Sequence, residues 1–353
     1  MTEFYDINKL LTYNAKINLI VGGRNIGKTF SIRKHLVEDF LKNNKCFCNF
    51  SRYNTQKKAV SIGFFEKLQQ EGYFLDYKFK QNKNECFISP VKKKENWERL
   101  GYFVSLSSEP KIKEQTFSNC YNLVFDEAII DKKNKAFYRY INDEWITLAN
   151  CVSSVTRELP NQEKKTRLFL MANAVDWNNP YFQHFKIPIN VKHGTHWLNP
   201  SKTAILDFLP TQEISRQINN NTLFGIMLEN DQQEVNKMIN NDFVLPSNEF
   251  LERKPKKSSF IFGVAWNGSN YGIWDGLNEN YYISTKIPQN TSKNIYALTL
   301  EDFTINYKLL KKCSRELAIL SDLYANARLR FENLGQVVNF EQMLRNLGYN
   351  NKW

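Results

Sequence analysis

The sequence predicts an α/β fold: a mainly parallel sheet flanked by helices, followed by a second, smaller α/β domain. Three observations predict it. An apolar run, Ile17 to Val21, feeds a glycine-rich loop and then a helix-like segment, Phe30 to Leu41. A second apolar run, Tyr121 to Phe125, ends abruptly in two carboxylates, Asp126 and Glu127. Strand and helix signals alternate as far as residue 200, which is the signature of βαβ units, and beyond 259 short strands punctuated by turns take over.

The elements follow in order. Ile7 to Tyr13 reads as a short lead-in helix or turn. After the strand at Ile17 comes Gly22-Gly23-Arg24-Asn25-Ile26-Gly27-Lys28-Thr29, which is G-x-x-x-x-G-K-[ST] between a strand and a helix. Glycines let backbone N–H groups curl around phosphate oxygens, Lys28 reaches the terminal phosphates, and Thr29 offers a hydroxyl to Mg²⁺ beside the positive end of the helix opened by Phe30. A turn that merely joins strand to helix needs none of this set. The expected ligand is ATP or GTP.

Cys46 to Phe50 is the next strand, followed by a polar segment, Ser51 to Lys58, and an amphipathic stretch, Ala59 to Gln70. Tyr73 to Lys80 and Cys86 to Ser89 read as a hairpin around Gln81 to Asn84. Tyr102 to Leu106 and Arg167 to Ala172 are further strands, and Ala136 to Val155 has the apolar spacing of a long helix. A buried parallel strand is a continuous apolar run, so Asp126 emerges at the carboxyl edge of the sheet, where ligands sit in open α/β folds. There it can hold Mg²⁺, and Glu127 is placed to orient or deprotonate water. An acidic pair after a strand is common by itself; together with the phosphate loop it defines a P-loop (ASCE-type) ATPase domain.

Composition changes after Pro200. Thr211 to Asn241 is rich in Asn and Gln and reads as a partly helical lid or linker, giving expected domains of 1–200, 201–245 and 246–353. In the last, Ser259 to Trp266, Tyr271 to Trp274, Tyr281 to Lys286 and Asn294 to Leu298 are strands, and Thr304 to Ala327 and Gln336 to Leu347 are helices. The 353 residues carry 48 Lys and Arg against 36 Asp and Glu, a formal net charge of +12, which favours a nucleic-acid partner. Basic clusters lie at Lys92 to Lys94, Lys132-Lys133 and Lys254 to Lys257; each alone is more often a solvated face than a phosphate contact. No apolar stretch is long enough to cross a bilayer and no signal sequence is visible, so a membrane role is not expected. Six cysteines without C-x-x-C pairing argue against a zinc knuckle or a disulfide framework, and His193 and His196 lack nearby partners for a metal.

The ordered set of motifs resembles the DNA-packaging ATPases of φ29-like podophages, compact relatives of the large terminases. The likeness runs through Leu11-Thr12-Tyr13, the phosphate loop, Phe50-Ser51-Arg52-Tyr53, Val124 to Glu127, Ala172-Asn173-Ala174 and Asn179-Pro180-Tyr181-Phe182. It continues through Trp266-Asn267-Gly268, Gly272-Ile273-Trp274, Thr291 to Tyr296 and Arg328 to Phe331. The resemblance implies a homomeric ring, expected to be a pentamer, docked on the portal of an empty capsid in the host cytoplasm and translocating double-stranded DNA with ATP and Mg²⁺. It further implies that Asn173 senses the γ-phosphate, that Arg157 acts in trans as an arginine finger, and that Arg24 and Arg52 are cis contacts, Arg52 near the adenine. Some relatives use a structural RNA, but no RNA-recognition motif is present. The last domain resembles a reduced RNase-H-like nuclease. Its first strand, Phe260 to Asn267, carries no carboxylate for a two-metal site, so no nuclease activity is expected. A helicase or partition ATPase, or a nucleotide-switched binding module, shares the phosphate motif and stands as the alternative.

Overall fold

The computed structural model describes residues 5–24, 26–61, 63–92, 96–130, 140–141, 143–157, 166–173, 177, 179–188, 191–210, 226, 250–266, 268–276, 279–289 and 294–348. It divides into two compact units, Met1–Val244 and Leu245–Trp353.

The first unit is built on a nine-stranded sheet. In chain order the strands are β1 (Ile17–Val21), β2 (Cys46–Ser51), β3 (Tyr77–Asn82), β4 (Glu85–Pro90), β5 (Glu98–Ser105), β6 (Cys120–Phe125), β7 (Arg167–Ala172), β8 (Thr195–Leu198) and β9 (Ala204–Phe208), and across the sheet they run β3-β4-β5-β2-β6-β7-β1-β9-β8. The six from β5 to β9 in that order are parallel. The two edges are antiparallel: the β3–β4 hairpin folds onto β5, and β8 onto β9. Every residue of β2 and β9 is buried, as expected of strands covered on both faces.

The helices are α1 (Ile7–Leu11), α2 (Lys28–Asn43), α3 (Asn54–Ser61), α4 (Glu66–Gln70), α5 (Glu109–Ile112), α6 (Glu144–Thr156) and α7 (Pro180–His184). Helix α2 buries Ile32, Leu36, Val37 and Phe40, one stripe at helical spacing. Its far end is tied to β6 through Asp39, whose Oδ2 accepts from Asn122 Nδ2 at 2.7 Å. At its other end Thr29 Oγ1 donates to Asp126 Oδ2, so the helix and the strand are held together at both ends.

Several local expectations change. The polar segment after β2 is helical from Asn54, and the amphipathic stretch expected from Ala59 is two helices interrupted at Gly63, whose φ is 64°. The long helix expected over Ala136 to Val155 begins only at Glu144, preceded by Asp143 in a left-handed conformation; 131–139 lie outside the described residues. The boundary expected at 200 falls inside the sheet, because β9 pairs along its whole length with β1. Of the expected lid at 201–245, the stretch from 211 onward lies outside the described residues except Ile226.

The second unit is a six-stranded sheet of β10 (Ser259–Trp266), β11 (Ser269–Asp275), β12 (Tyr281–Ser284), β13 (Ile295–Ala297), β14 (Lys308–Leu309) and β15 (Leu329–Phe331), in the order β14-β13-β10-β11-β12-β15. β10, β11 and β12 form an antiparallel meander, while β13 is parallel to β10 and β14 to β13. This 3-2-1-4-5 order of the first five strands is the RNase-H-like arrangement. Helices α8 (Ser314–Ala325) and α9 (Leu334–Asn346) contribute Leu320, Leu323, Phe340, Met343 and Leu344 to one core with Phe262, Val264, Ile273 and Phe331.

Candidate nucleotide site

Three chain segments meet at the carboxyl edge of the parallel sheet. β7 lies between β1 and β6 and holds both of their following loops: Met171 O accepts from Ala128 N at 2.9 Å, and Ala172 O accepts from Gly22 N at 3.2 Å. The next residue along β7 is Asn173.

The phosphate loop turns into α2 at Gly27, whose φ of 88° is open to glycine and strained for other residues. Gly22 and Gly23 are buried, Arg24 is exposed, and Ile26 is buried with its carbonyl accepting from Tyr5 N at 2.9 Å; Asn25 lies outside the described residues. Lys28 is buried, and its Nζ donates to Gly22 O at 2.8 Å, Gly23 O at 2.5 Å and Asn173 Oδ1 at 3.2 Å. Burial lowers its pKa, Asp126 opposes that and Arg24 adds to it, leaving the amine at about 8. Thr29 Oγ1 donates to Asp126 Oδ2 at 2.9 Å. Phe30 is half-buried and packs edge-on against Tyr73.

Asp126 Oδ1 accepts from Glu127 N at 2.9 Å. Glu127 is in the left-handed region, φ 54°, a conformation that costs a glutamate about 1–3 kcal/mol and persists only where its surroundings impose it. Desolvation in the cleft, then the charge of Asp126, push its carboxyl above the ordinary range.

Sequence reasoning places Lys28, Thr29, Asp126 and Glu127 at one site and the family resemblance adds Asn173; the structure brings all five together. Arg52 is a correction. It is 2 % exposed, and its guanidinium is committed to Glu144, with Nε to Oε2 at 2.7 Å and Nη2 to Oε1 at 2.8 Å, and to the carbonyls of Ala128 at 2.8 Å and Glu127 at 3.4 Å. A guanidinium so engaged is not offered to an adenine. Glu144 also accepts from Tyr181 Oη at 2.5 Å and Ile141 N at 2.9 Å. Sequence reasoning assigned a role to neither Glu144 nor Tyr181: it set Glu144 inside a helix running from Ala136, and the structure instead starts that helix at Glu144.

Arg157 is exposed just past the end of α6, with Nη2 donating to Gln115 O at 3.1 Å. The thirteen residues of α6 separate its backbone from that of Glu144 by about 20 Å at 1.5 Å per residue. Among the described residues no group of three or more His, Cys, Asp or Glu could hold a metal by itself. His196 instead pairs with Asp207 and His193 packs on Phe208. All six cysteines are free thiols, five of them buried. No helix among the described residues is long and apolar enough to cross a membrane. In the second unit Lys254 lies over the Trp274 ring at 4.0 Å, with Lys256 and Lys257 exposed; Lys92 is exposed in the first, while 93–94 and 132–133 lie outside the described residues.

The sheet order, with the acidic strand separated from the phosphate-loop strand by the strand leading to Asn173, defines a P-loop nucleotide-binding protein of ASCE type. The profile of the family described as podovirus DNA encapsidation protein (Gp16) matches residues 1–347, and the chain belongs to that family. Its relatives include proteins named DNA packaging protein from Bacillus phages PZA and phi29, each 29 % identical over 350 residues, covering 98 % of this chain and 96 % of the relative. Among solved structures, the bacteriophage Phi-29 viral genome packaging motor assembly matches with a TM-score of 0.68 at 26 % identity, covering 98 % of this chain and 99 % of that one. The Phi-28 gp11 DNA packaging motor shares the fold over the full length of both chains, with a TM-score of 0.68 at 17 % identity. The resemblance read in the sequence is borne out.

Proposed function

We propose that this chain is the ATP-hydrolysing subunit of a ring motor that drives double-stranded viral DNA into a preformed capsid through its portal. The observation that carries the reading is the convergence of Lys28, Thr29, Asp126, Glu127 and Asn173 at one sheet edge, in a chain of the DNA-encapsidation family.

In this reading the backbone N–H groups from Gly22 to Phe30 cradle the phosphates, Lys28 Nζ turns from its carbonyl acceptors to the terminal phosphates, and Arg24 adds a contact at the rim. Thr29 and Asp126 offer a hydroxyl and a carboxylate 2.9 Å apart, a hard oxygen donor set that fits Mg²⁺. Bound there, Mg²⁺ would supply neutralising charge to the phosphates. Glu127 takes the proton of the attacking water, and Asn173, sharing Lys28, reports whether the γ-phosphate is present. A nucleotide switch without turnover would need no base beside Asp126.

The ring is expected to be a pentamer on the portal, at work in the host cytoplasm, with a structural RNA as an optional partner. Arg157 acts on the neighbouring subunit's nucleotide. The second unit grips DNA or docks the motor through Lys254, Lys256 and Lys257 and has no nuclease activity, since β10 carries no carboxylate. The test is hydrolysis measured beside ATP binding. Glu127→Gln should abolish turnover and spare binding, whereas Lys28→Ala should weaken both; unchanged turnover in Glu127→Gln would contradict the assignment.

A further inference from the structure

We propose that Glu144 is a positioning residue for ATP hydrolysis: its buried carboxylate gathers three segments that end at the phosphate site and, through Arg52, fixes the turn that carries Glu127. The proposal rests on the reading of Glu127 as the base.

The argument starts from cost. Arg52, Glu144 and Tyr181 are each 2 % exposed or less, and burying an ion pair seldom adds net stability compared with apolar side chains of the same volume. What such a pair does supply is direction. Each carboxylate oxygen of Glu144 accepts two hydrogen bonds: Oε2 from Arg52 Nε and Ile141 N, Oε1 from Arg52 Nη2 and Tyr181 Oη. Burial alone would disfavour the Arg52 charge, but bonding to and attraction by Glu144 outweigh it, so the guanidinium holds its proton more firmly than usual.

The same guanidinium donates to the carbonyls of two successive residues, Glu127 and Ala128. These flank the peptide that follows the left-handed φ of Glu127. A backbone in a sparsely populated region persists only where its surroundings over-determine it. Here the amide of Glu127 is held by Asp126, its carbonyl side by Arg52, and the amide of Ala128 by β7. Remove the carboxylate of Glu144 and Arg52 becomes a buried, unpaired cation, free to turn toward the carboxylate of Glu127 itself. Tyr181 adds the third segment: it lies on α7, eight residues after Asn173. The base, the end of β2 and the chain beyond the phosphate sensor thus share one anchor.

The test uses the full chain and compares kcat, nucleotide Kd and thermal midpoint in wild type, Glu127→Gln, Glu144→Gln, Tyr181→Phe and the triple variant Arg52→Met/Glu144→Met/Tyr181→Phe. Misplacing a catalytic group by about 1 Å costs about a hundredfold in rate. Glu144→Gln should lower kcat by about that factor with Kd for ATP changed less than about threefold. Tyr181→Phe, which deletes one bond to a charged acceptor and no volume, should lower it about tenfold. The triple variant, an apolar triad of similar volume, should fold and remain about a hundredfold slow. The proposal is overturned if the triple variant regains wild-type kcat together with its thermal midpoint, or if Glu144→Gln and Tyr181→Phe lose activity only in proportion to the unfolded fraction. Hydrolysis abolished by Glu127→Gln but intact in the other variants removes this proposal alone; no hydrolysis in wild type removes the ATPase reading and this proposal with it.

Discussion

Nucleotide affinity should fall as pH rises through about 8, because Lys28, the lysine proposed to meet the phosphates, is about half neutral there before nucleotide arrives. Lys28 Nζ is enclosed by the neutral acceptors Gly22 O, Gly23 O and Asn173 Oδ1, and burial holds its pKa at about 8 instead of 10.5. At pH 7 about nine in ten free sites carry the charge, and at pH 9 about one in ten. A bound triphosphate raises the pKa, so over this range the complex holds more protons than the free protein and binding takes a proton up. By linkage, the dissociation constant grows as one plus ten to the power of pH minus 8, from about 1.1 at pH 7 to about 11 at pH 9. That is about a tenfold weakening, or about 1.4 kcal/mol. Equilibrium titration with a fluorescent ATP analogue across pH 7 to 9 reads it directly, and calorimetry in two buffers of different ionisation heat should show nearly one proton taken up at pH 9. Lys28→Met should bind more weakly and without this slope. A change below twofold in wild type, or the same slope in Lys28→Met, would refute the reasoning.

Two further outcomes follow from the geometry. Glu127 must be ionised to accept a proton, and in the nucleotide-free site its carboxyl is pushed upward by desolvation and by Asp126; kcat/KM should therefore fall on the acid side with a midpoint above the ordinary carboxylate value, as a pH–rate profile will show. A Cβ on Gly101 would sit 2.3 Å from Cδ1 of Phe47, a ring with no exposed surface that is packed against Phe64, Phe65 and Phe103. Gly101→Ala should destabilise the first unit by about 1–3 kcal/mol in denaturant or thermal unfolding, with nucleotide affinity of the folded fraction unchanged.

The parts of this fold that could be read from the sequence are those whose cause is local. β1 and β7 have the bounds their apolar runs suggest, and Gly22 to Thr29 declares the phosphate loop because each residue type has its own job there. What could not be read depends on distant partners. β9 follows the change of composition at Pro200, and nothing in Ala204 to Phe208 reveals that it pairs with a strand 187 positions earlier. The start of α6 is set by Glu144, whose carboxylate takes the Ile141 amide while the helix begins. The family resemblance makes Arg52 a ligand contact; its partner Glu144 lies 92 positions on, and only the fold brings them together. The same gap hides Glu144 itself, the residue whose bonds reach furthest through the site.

The central claim, a ring motor with catalysis shared between subunits, is tested most directly by steady-state ATP hydrolysis with and without double-stranded DNA, across protein concentration, with Arg157→Ala beside wild type. The account predicts turnover that rises with DNA and with concentration and drops by about 10³-fold or more in the variant, the size of an arginine finger's contribution. Turnover indifferent to DNA, to concentration and to Arg157 would contradict it and describe a monomeric nucleotide hydrolase.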